Sequence, residues 1–542
     1  MPNGPTQTKS PTGASRLLRR ALRAHQDGDL AKAERLYNAL LQHDPGSFDG
    51  LHGLGQVHAQ RGRHATALVL LQTALRGDAS RAEGFASLGL VFHFLRRPRE
   101  ALASYDQGLS LDPGNIELLN RRGVALLELN RAGEALKDLE RVLAAEPQHF
   151  EALGNYGNAL IKLNLPQEAV AAYDRALVKA PANPQLLTNR AVALRRLDRP
   201  QEALMSASRA LVGNPGFAQA RFVESVARLT LGEFAAGWRG YESRWSVGLL
   251  ASQRRGFTVP LWLGEQTPQL CLAGKTILLH AEQGFGDTLQ FVRYASRVAA
   301  CGAARVLLEV QRELKPLVQG MAGVGEVLAR GDPLPAFDLH CPLMSLPLAF
   351  GTELTTVPAD IPYIAPSPEK VAAWAARLPR RGPLVGVAWS GERGHDNDLN
   401  RSIALAALAP VLSVAGITFV SLQHDLRASD EPALQSLPGL FRPQPGFGDF
   451  ADTAAVVSLM DAVIAVDTAV AHLAGAMAKT LFLLLPFAAD FRWLRERADS
   501  PWYPTARLYR QPAFGDWPSA IAGLRQDLQR ADFLGGSRKL SA

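Results

Sequence analysis

Residues 276–293, T-I-L-L-H-A-E-Q-G-F-G-D-T-L-Q-F-V-R, carry the most concentrated chemistry in the chain. A short apolar strand, Thr276 to His280, runs into a loop holding Gly284 and Gly286. A helix opening at Asp287 comes next, with Leu289, Phe291, Val292 and Ala295 on its inward side. This is the first half of a βαβ unit, in which ligands settle at the carboxyl end of the strand and the start of the helix. Asp287 is therefore expected at the mouth of a cleft. A carboxylate there repels phosphate, so it suits a general base better than an anion cradle. It would serve equally well as the N-cap of its own helix, and the sequence leaves both roles open.

Three later loops offer polar groups at the ends of strand-like runs. The first, W-S-G-E-R-G-H-D-N-D-L-N-R-S-I, presents Ser390, the Gly391 backbone, Asn400, Arg401 and Ser402. The second, S-L-Q-H-D, presents Gln423 and Asp425, acceptors suited to a ribose or a base. The third, V-D-T-A-V-A-H-L-A-G-A-M, sets Asp467 and Thr468 at a strand end and His472 one turn into a helix of small residues. Free N–H groups and the helix dipole make such a start a seat for a diphosphate, with Arg401 as a charge-assisted partner. The structural alternatives are an N-cap pair at Asp467 and Thr468, a packed His472 and a solvated Arg401.

The elements that must position these residues alternate from Lys275 onward. Strand-like I-L-L-H, R-V-L-L-E-V, V-G-E-V-L-A and F-D-L-H-C are succeeded, after a Pro-rich stretch from Pro358 to Pro368, by L-V-G-V-A-W, I-T-F-V-S-L, A-V-I-A-V and T-L-F-L-L-L. Helical runs separate them, one expected near Glu313 to Ala322. That order predicts parallel sheets with helices on both faces, in two α/β units with a cleft between.

The first half has a different period. Pro45, Ala79, Pro113, Pro147, Pro181 and Pro215 recur every 34 residues. In phase with them, Gly55, Gly89, Gly123, Gly157 and Ala191 sit where one helix meets its partner. Ala33, Ala67, Ala101, Ala135, Ala169 and Ala203 mark the approach on the second helix. This region resembles the tetratricopeptide repeat family. The resemblance implies a superhelix of helical hairpins stabilised by stacking, with a concave groove for a protein or peptide partner. Asn155, Asn158, Asn189 and Arg121 fall on first helices, which line that groove, and either clamp an extended backbone or form solvated surface. The segment around Trp238, Tyr241 and Trp245 continues as helix but loses the pattern, as a cap that packs on the α/β half of the chain.

The expected organisation is a flexible tail (1–13), six repeats (14–217), a capping and junction segment (218–273), and two Rossmann-like halves (274–368 and 369–542), the second ending in a helix and tail. Together, G-F-G-D-T-L-Q-F and V-D-T-A-V-A-H-L-A-G-A resemble the motifs of the heptosyltransferases, glycosyltransferases of the two-Rossmann GT-B fold. The joined plan also resembles the protein O-linked N-acetylglucosamine transferases. The heptosyltransferase resemblance implies metal-independent, inverting transfer from a nucleotide sugar, with no cofactor beyond that substrate. It implies Asp287 as base, Asp467, Thr468 and His472 at the donor, and Arg401 near the leaving diphosphate. Such a leaving group gains charge as its bond breaks, so fixed donors there favour the transition state. Ala469 stands where that family has Gly, and Lys479 and Thr480 replace its usual residues before the last strand. The alternative is an interaction scaffold whose GT-B-like half is not catalytic. An epimerase is disfavoured, because no G-x-G-x-x-G comes after a first strand and no Y-x-x-x-K is placed for it.

Composition narrows the rest. A hydrophobic fraction of 47% with 20% charged residues is that of a globular chain. The net charge of +7 is spread along the sequence with no basic block interleaved with aromatics, which argues against a nucleic-acid partner. Cys271, Cys301 and Cys341 lack the spacing of a zinc site or disulfide framework, and fit a reducing, cytoplasmic setting. No h-region opens the chain, and no stretch has the roughly 20 apolar residues of a membrane span.

Overall fold

A computed structural model describes residues 13–530 except 268, 380, 381 and 445. Of the tail expected at 1–13, residues 1–12 lie outside the described residues and Gly13 opens the first helix; the C-terminal tail beyond 530 and Pro268 of the junction also lie outside them. The chain divides into two compact units between Ala193 and Leu194.

The helices of the first half come in pairs: Gly13–Gln26 with Leu30–His43, Phe48–Gln60 with His64–Gly77, Ala82–Phe94 with Pro98–Leu111, Ile116–Glu128 with Ala132–Ala145, and Phe150–Lys162 with Pro166–Lys179. Pro184–Arg196 with Pro200–Gly213 and Ala218–Thr230 with Phe234–Tyr241 continue the series. Each first helix is stopped by a residue in the left-handed region, at Gly28, Gly62, Arg96, Asn130, Asn164, Asp198 and Gly232. The stop recurs with the sequence period, and only Arg96 falls outside the Gly, Asn and Asp types that tolerate the conformation. Second helices begin in several repeats with proline in the first turn, where the missing N–H costs nothing. The common phase of the small residues has a steric cause. A Cβ on Gly89 would lie 2.4 Å from the Tyr105 ring and one on Gly157 2.5 Å from Tyr173, while Gly55 and Gly123 face Leu71 and Leu139.

The second unit contains two parallel sheets. Strands β1 (Thr276–His280), β2 (Arg305–Val310), β3 (Glu326–Ala329) and β4 (Leu339–Pro342) form the first, in the order β3-β2-β1-β4. The second comprises β5 (Leu384–Ala388), β6 (Thr418–Ser421), β7 (Leu440–Phe441), β8 (Ala462–Val466), β9 (Thr480–Leu485) and β10 (Ala506–Arg510), in the order β10-β9-β8-β5-β6-β7. Strands β7 and β10 were not foreseen: the first is two residues long, and A-R-L-Y-R carries two arginines that break an apolar run. Alternate residues divide the second sheet between two cores. Val387, Ile464 and Phe482 face one side, and Val463, Ala465 and Leu483 the other. The latter core is continuous with Ile277 and Leu279 of the first sheet through the helices Phe285–Phe291, Phe450–Ser458 and Ala469–Ala476. The helix expected near Glu313 to Ala322 is one turn, Lys315–Val318, ended by the chain reversals around Gly320 and Gly323. Among the described residues no helix is long and apolar enough to cross a membrane.

Candidate functional site

In both sheets the chain turns in opposite directions from two neighbouring strands, β1 and β4 in the first and β5 and β8 in the second. The loops leaving the carboxyl ends of such strands splay apart and leave a crevice. Asp287 comes after β1, Ser390 and Gly391 after β5, and Asp467 and Thr468 after β8, so both crevices receive residues singled out in the sequence.

The helix that was expected to open at Asp287 opens at Phe285, with Gly284 as its N-cap in ordinary extended backbone, φ −71° and ψ 171°. Asp287 is the third helical residue, and its Oδ2 accepts the Gly284 N–H at 2.9 Å. Its Oδ1 is engaged by Nη2 of Arg492, which reaches over from the end of β9. Arg492 also donates from Nε to Gln290 Oε1 at 2.7 Å and from Nη1 to Asp490 Oδ1 at 2.8 Å, and lies over the Phe491 ring at 4.6 Å. Burial opposes its charge, but Asp490 and then Asp287 outweigh burial and raise its pKa. The close approach of the two sheets depends on Gly286, where a Cβ would stand 2.8 Å from Cδ2 of His472.

His472 is a packed residue. It is 5% exposed, stacks on Trp493 and shares a 3.0 Å hydrogen bond between Nδ1 and the Tyr503 hydroxyl. Burial, and next the charge of Arg492, push its pKa down to about 3, so the ring is neutral. Asp467 lies 3.8 Å from its Nε2 and is pushed up to about 6 by burial and by the charge of Asp490.

Thr468 is the N-cap of the helix Ala469–Ala476, but its hydroxyl caps nothing, and Oγ1 is buried without a partner among the described residues. The same holds for the Ser390 hydroxyl and for Nε of Arg401. The Arg401 guanidinium donates from Nη1 to the Asp467 carbonyl at 3.0 Å and packs so closely on Gly391 that a Cβ there would lie 2.6 Å from Nη2. Gln423, expected to meet a ribose or base, is spent on its own fold. Its Oε1 accepts the N–H groups of Trp389 and Ser390 at 3.0 and 3.1 Å, and its Nε2 donates to the Ser390 carbonyl at 2.9 Å. Asp425 is exposed.

Several site residues were not foreseen. Arg492 and Asp490 come after the end of β9 as Asp467 comes after β8, so the strand-end signal used for the other loops pointed to them. Arg427 and Asp398, an ion pair at 2.8 Å that also engages Ser402 and the Gly391 carbonyl, shape the long polar loop. Beneath Asp287, the fully buried Arg244 donates to Glu282 Oε1 at 2.9 Å and to the Ser345 hydroxyl at 2.7 Å. Burial, reinforced by Glu242, pushes Glu282 up to about 7 although Arg244 opposes it.

In the first unit, amide side chains on successive first helices join. Asn155 Nδ2 donates to Asn120 Oδ1 at 2.9 Å and Asn189 Nδ2 to Asn158 Oδ1 at 2.8 Å. Arg121, expected beside them in the groove, is turned onto Glu117 of its own helix at 2.6 Å.

Models of the tetratricopeptide repeat match residues 24–88, 87–141 and 120–184. Protein FlbA of Caulobacter vibrioides is 28% identical over 326 residues, which cover 55% of this chain and 53% of that protein. The chain thus spans about half the length of this curated relative. A tetratricopeptide repeat protein from Parabacteroides merdae is similar at 18% identity and a TM-score of 0.38, over 44% of this chain and 94% of that one. YrrB, described as a tetratricopeptide protein with an unusual peptide-binding site, is similar at 19% identity and a TM-score of 0.30, over 34% of this chain and 95% of its own. The N-terminal part of this chain is accordingly a tetratricopeptide repeat region, and an α/β region with two parallel sheets lies C-terminal to it.

Proposed function

We propose that the chain is an interaction protein whose repeat region holds an extended polypeptide. The observation that carries this reading is the amide ladder, Asn120 to Asn155 and Asn158 to Asn189, on consecutive first helices. First helices line the concave face of such arrays. Asn120 is buried, Asn158 also accepts from Tyr173 and Asn189 from Gln185, so what the half-buried Asn155 and Asn189 keep for a peptide backbone is the second hydrogen of each Nδ2 and the Asn155 side-chain carbonyl. The test is capture from a random peptide library by the full-length chain and by a variant carrying Asn120→Ala, Asn155→Ala and Asn189→Ala. Undiminished capture by the variant would remove the ladder from the binding surface.

A second reading concerns the α/β region, as a ligand site for a nucleoside diphosphate or nucleotide sugar, in the manner of the GT-B heptosyltransferases. It is favoured by the unpartnered buried atoms of Ser390, Thr468 and Arg401, which gather on loops leaving the switch point of the second sheet. Unpartnered buried atoms also occur in the cores, as at Trp238, Trp262 and His280, so the weight rests on the placement of these three on neighbouring strand-end loops, where a ligand would supply their partners. Transfer of the sugar to a protein or glycan acceptor is the finer form of this reading, with Asp287 as base. Both carboxylate oxygens of Asp287 are already engaged, so Arg492 must let go before that base can act. The first reading requires no such step.

A further inference from the structure

We infer that Arg492 is an anion-binding residue that Asp287 holds in reserve, so that a diphosphate in the cleft competes with the Asp287 carboxylate for the guanidinium. The inference rests on the second reading, that the loops after β5 and β8 seat a phosphorylated ligand, and adds to it a residue and a regulation.

Arg401 and Arg492 lie on segments that meet at Asp467. Arg401 bonds the Asp467 carbonyl at 3.0 Å beside the unpartnered Thr468 hydroxyl, and the Asp467 carboxylate lies 3.8 Å from His472, which stacks on Trp493, the residue after Arg492. Among the described residues, the exchangeable partner of Arg492 is Asp287. Nε on Gln290 and Nη1 on Asp490 fix the plane of the guanidinium over Phe491, with the side chain 9% exposed. Asp490 is the more exposed carboxylate, at 36% against 22% for Asp287, but it sits two residues from Arg492 and also accepts the Arg492 N–H at 3.0 Å, so it moves with the guanidinium. Nη2, with Met344 Sδ at 3.8 Å, is spent on Asp287, which belongs to another element and has the Gly284 N–H to fall back on. The anchor itself is over-determined. Leu494, two residues on, is held at φ 54° and ψ −158°, a region that side chains other than glycine's avoid, and it persists there because the surrounding core imposes it. Swapping one oxyanion for another on a fixed guanidinium conserves the charge-assisted bond. While Asp287 occupies it, the ligand-competent fraction of the protein is small, and apparent affinity falls by that fraction.

A variant that would ordinarily be made to remove a base then acquires an unusual phenotype. Asp287→Asn keeps an acceptor for Gly284 but gives up the ion pair, and should bind diphosphates more tightly than the parent, by about tenfold for one charge-assisted bond. Calorimetry on the full-length chain would use inorganic pyrophosphate and the diphosphates of adenosine, uridine, guanosine and cytidine. Arg492→Gln should weaken binding, and in that background Asp287→Asn should bring no gain. A gain that persists there would mean simple charge repulsion by Asp287 and would overturn the competition. If Arg492→Gln does not melt cooperatively, Arg492→Lys takes its place, with a reduced gain expected. Binding that is weakened by Thr468→Val but indifferent to Asp287→Asn would sink the reserve and leave the ligand site standing. No binding of any probe to the parent or to Asp287→Asn would overturn both.

Discussion

At the residue scale, the sites divide by what their polar atoms already do. Gln423 at a strand end and His472 one turn into a helix looked suitable for a ligand because amide and imidazole types are suitable there, but their bonds are taken by the Ser390 backbone and by Tyr503. Thr468 and Arg401 keep unpartnered atoms, a distinction that residue type cannot carry. The buried neutrality of His472 has a measurable consequence. When the chain unfolds, the ring regains its ordinary pKa of about 6.5, whereas the folded protein keeps it neutral down to about 3. The unfolded state binds more protons throughout that window. Its stabilising contribution is therefore complete above the unfolded value and is lost as pH falls toward the folded one. Asp467, raised to about 6, acts in the opposite sense below that pH and blunts the loss without reversing it, since its window is the narrower. His472→Gln should be less stable than the parent at pH 7 and should close the gap as pH falls to 4, measured as urea midpoints at each pH. A deficit constant with pH would mean that the imidazole is not held neutral.

At the element scale, the repeats were legible because their constraint is steric and periodic. Gly89 faces Tyr105 and Gly157 faces Tyr173 at the same offset at which Gly55 and Gly123 face Leu71 and Leu139. A valine at Gly89 must displace the Tyr105 ring from a site 2.4 Å from any Cβ, and overpacking of that kind costs about 1–3 kcal/mol. Gly89→Val should lower the denaturant midpoint, and Tyr105→Leu added to it should recover much of the loss, since Leu71 and Leu139 fill the equivalent place. Recovery that fails would mean that the glycine serves some other contact. The sheets were legible where strands are fully apolar, as in β8 and β9, and not where arginine interrupts, as in β10. The helix start at Phe285 was missed by two residues because a glycine N-cap, held only by its N–H on the Asp287 carboxylate, has no hydroxyl or carboxylate of its own to announce it. Of the site, the strand-end loops were visible, but Arg492 on Asp287 was not, because they lie 205 residues apart in sequence and meet only when the two sheets pack.

At the scale of the whole molecule, the repeats are expected to run to residue 217 and to give way there to a junction, and the second compact unit, which starts at Leu194, takes in the last helices of the repeat series together with the two sheets. The difference lies in what the last helices bury. Phe234, Trp238 and Tyr241 are at most 4% exposed, and their rings meet Phe291, Phe491 and Trp502 at centroid distances of 5.7–6.4 Å. Arg244 continues the contact with its bonds to Glu282 and Ser345, and Arg495 pairs with Asp198 at 3.0 Å. A fragment begun at Ser246 would lose all of these. Deleting one buried tryptophan costs about 3–5 kcal/mol against a total stability of about 5–15 kcal/mol for a domain. It would also leave Glu282 buried without its guanidinium, a further penalty of the kind incurred when one member of a buried pair is removed. We therefore expect residues 246–542 to be insoluble or to melt without cooperativity, and residues 197–542, which keep Asp198 and both helices of the last pair, to melt as one cooperative unit. Circular dichroism melts of the two fragments decide the point. A cooperative transition in the shorter one would return the helices Ala218–Thr230 and Phe234–Tyr241 to the repeat array, and would mean that the aromatic contacts of Trp238 are incidental to the α/β core.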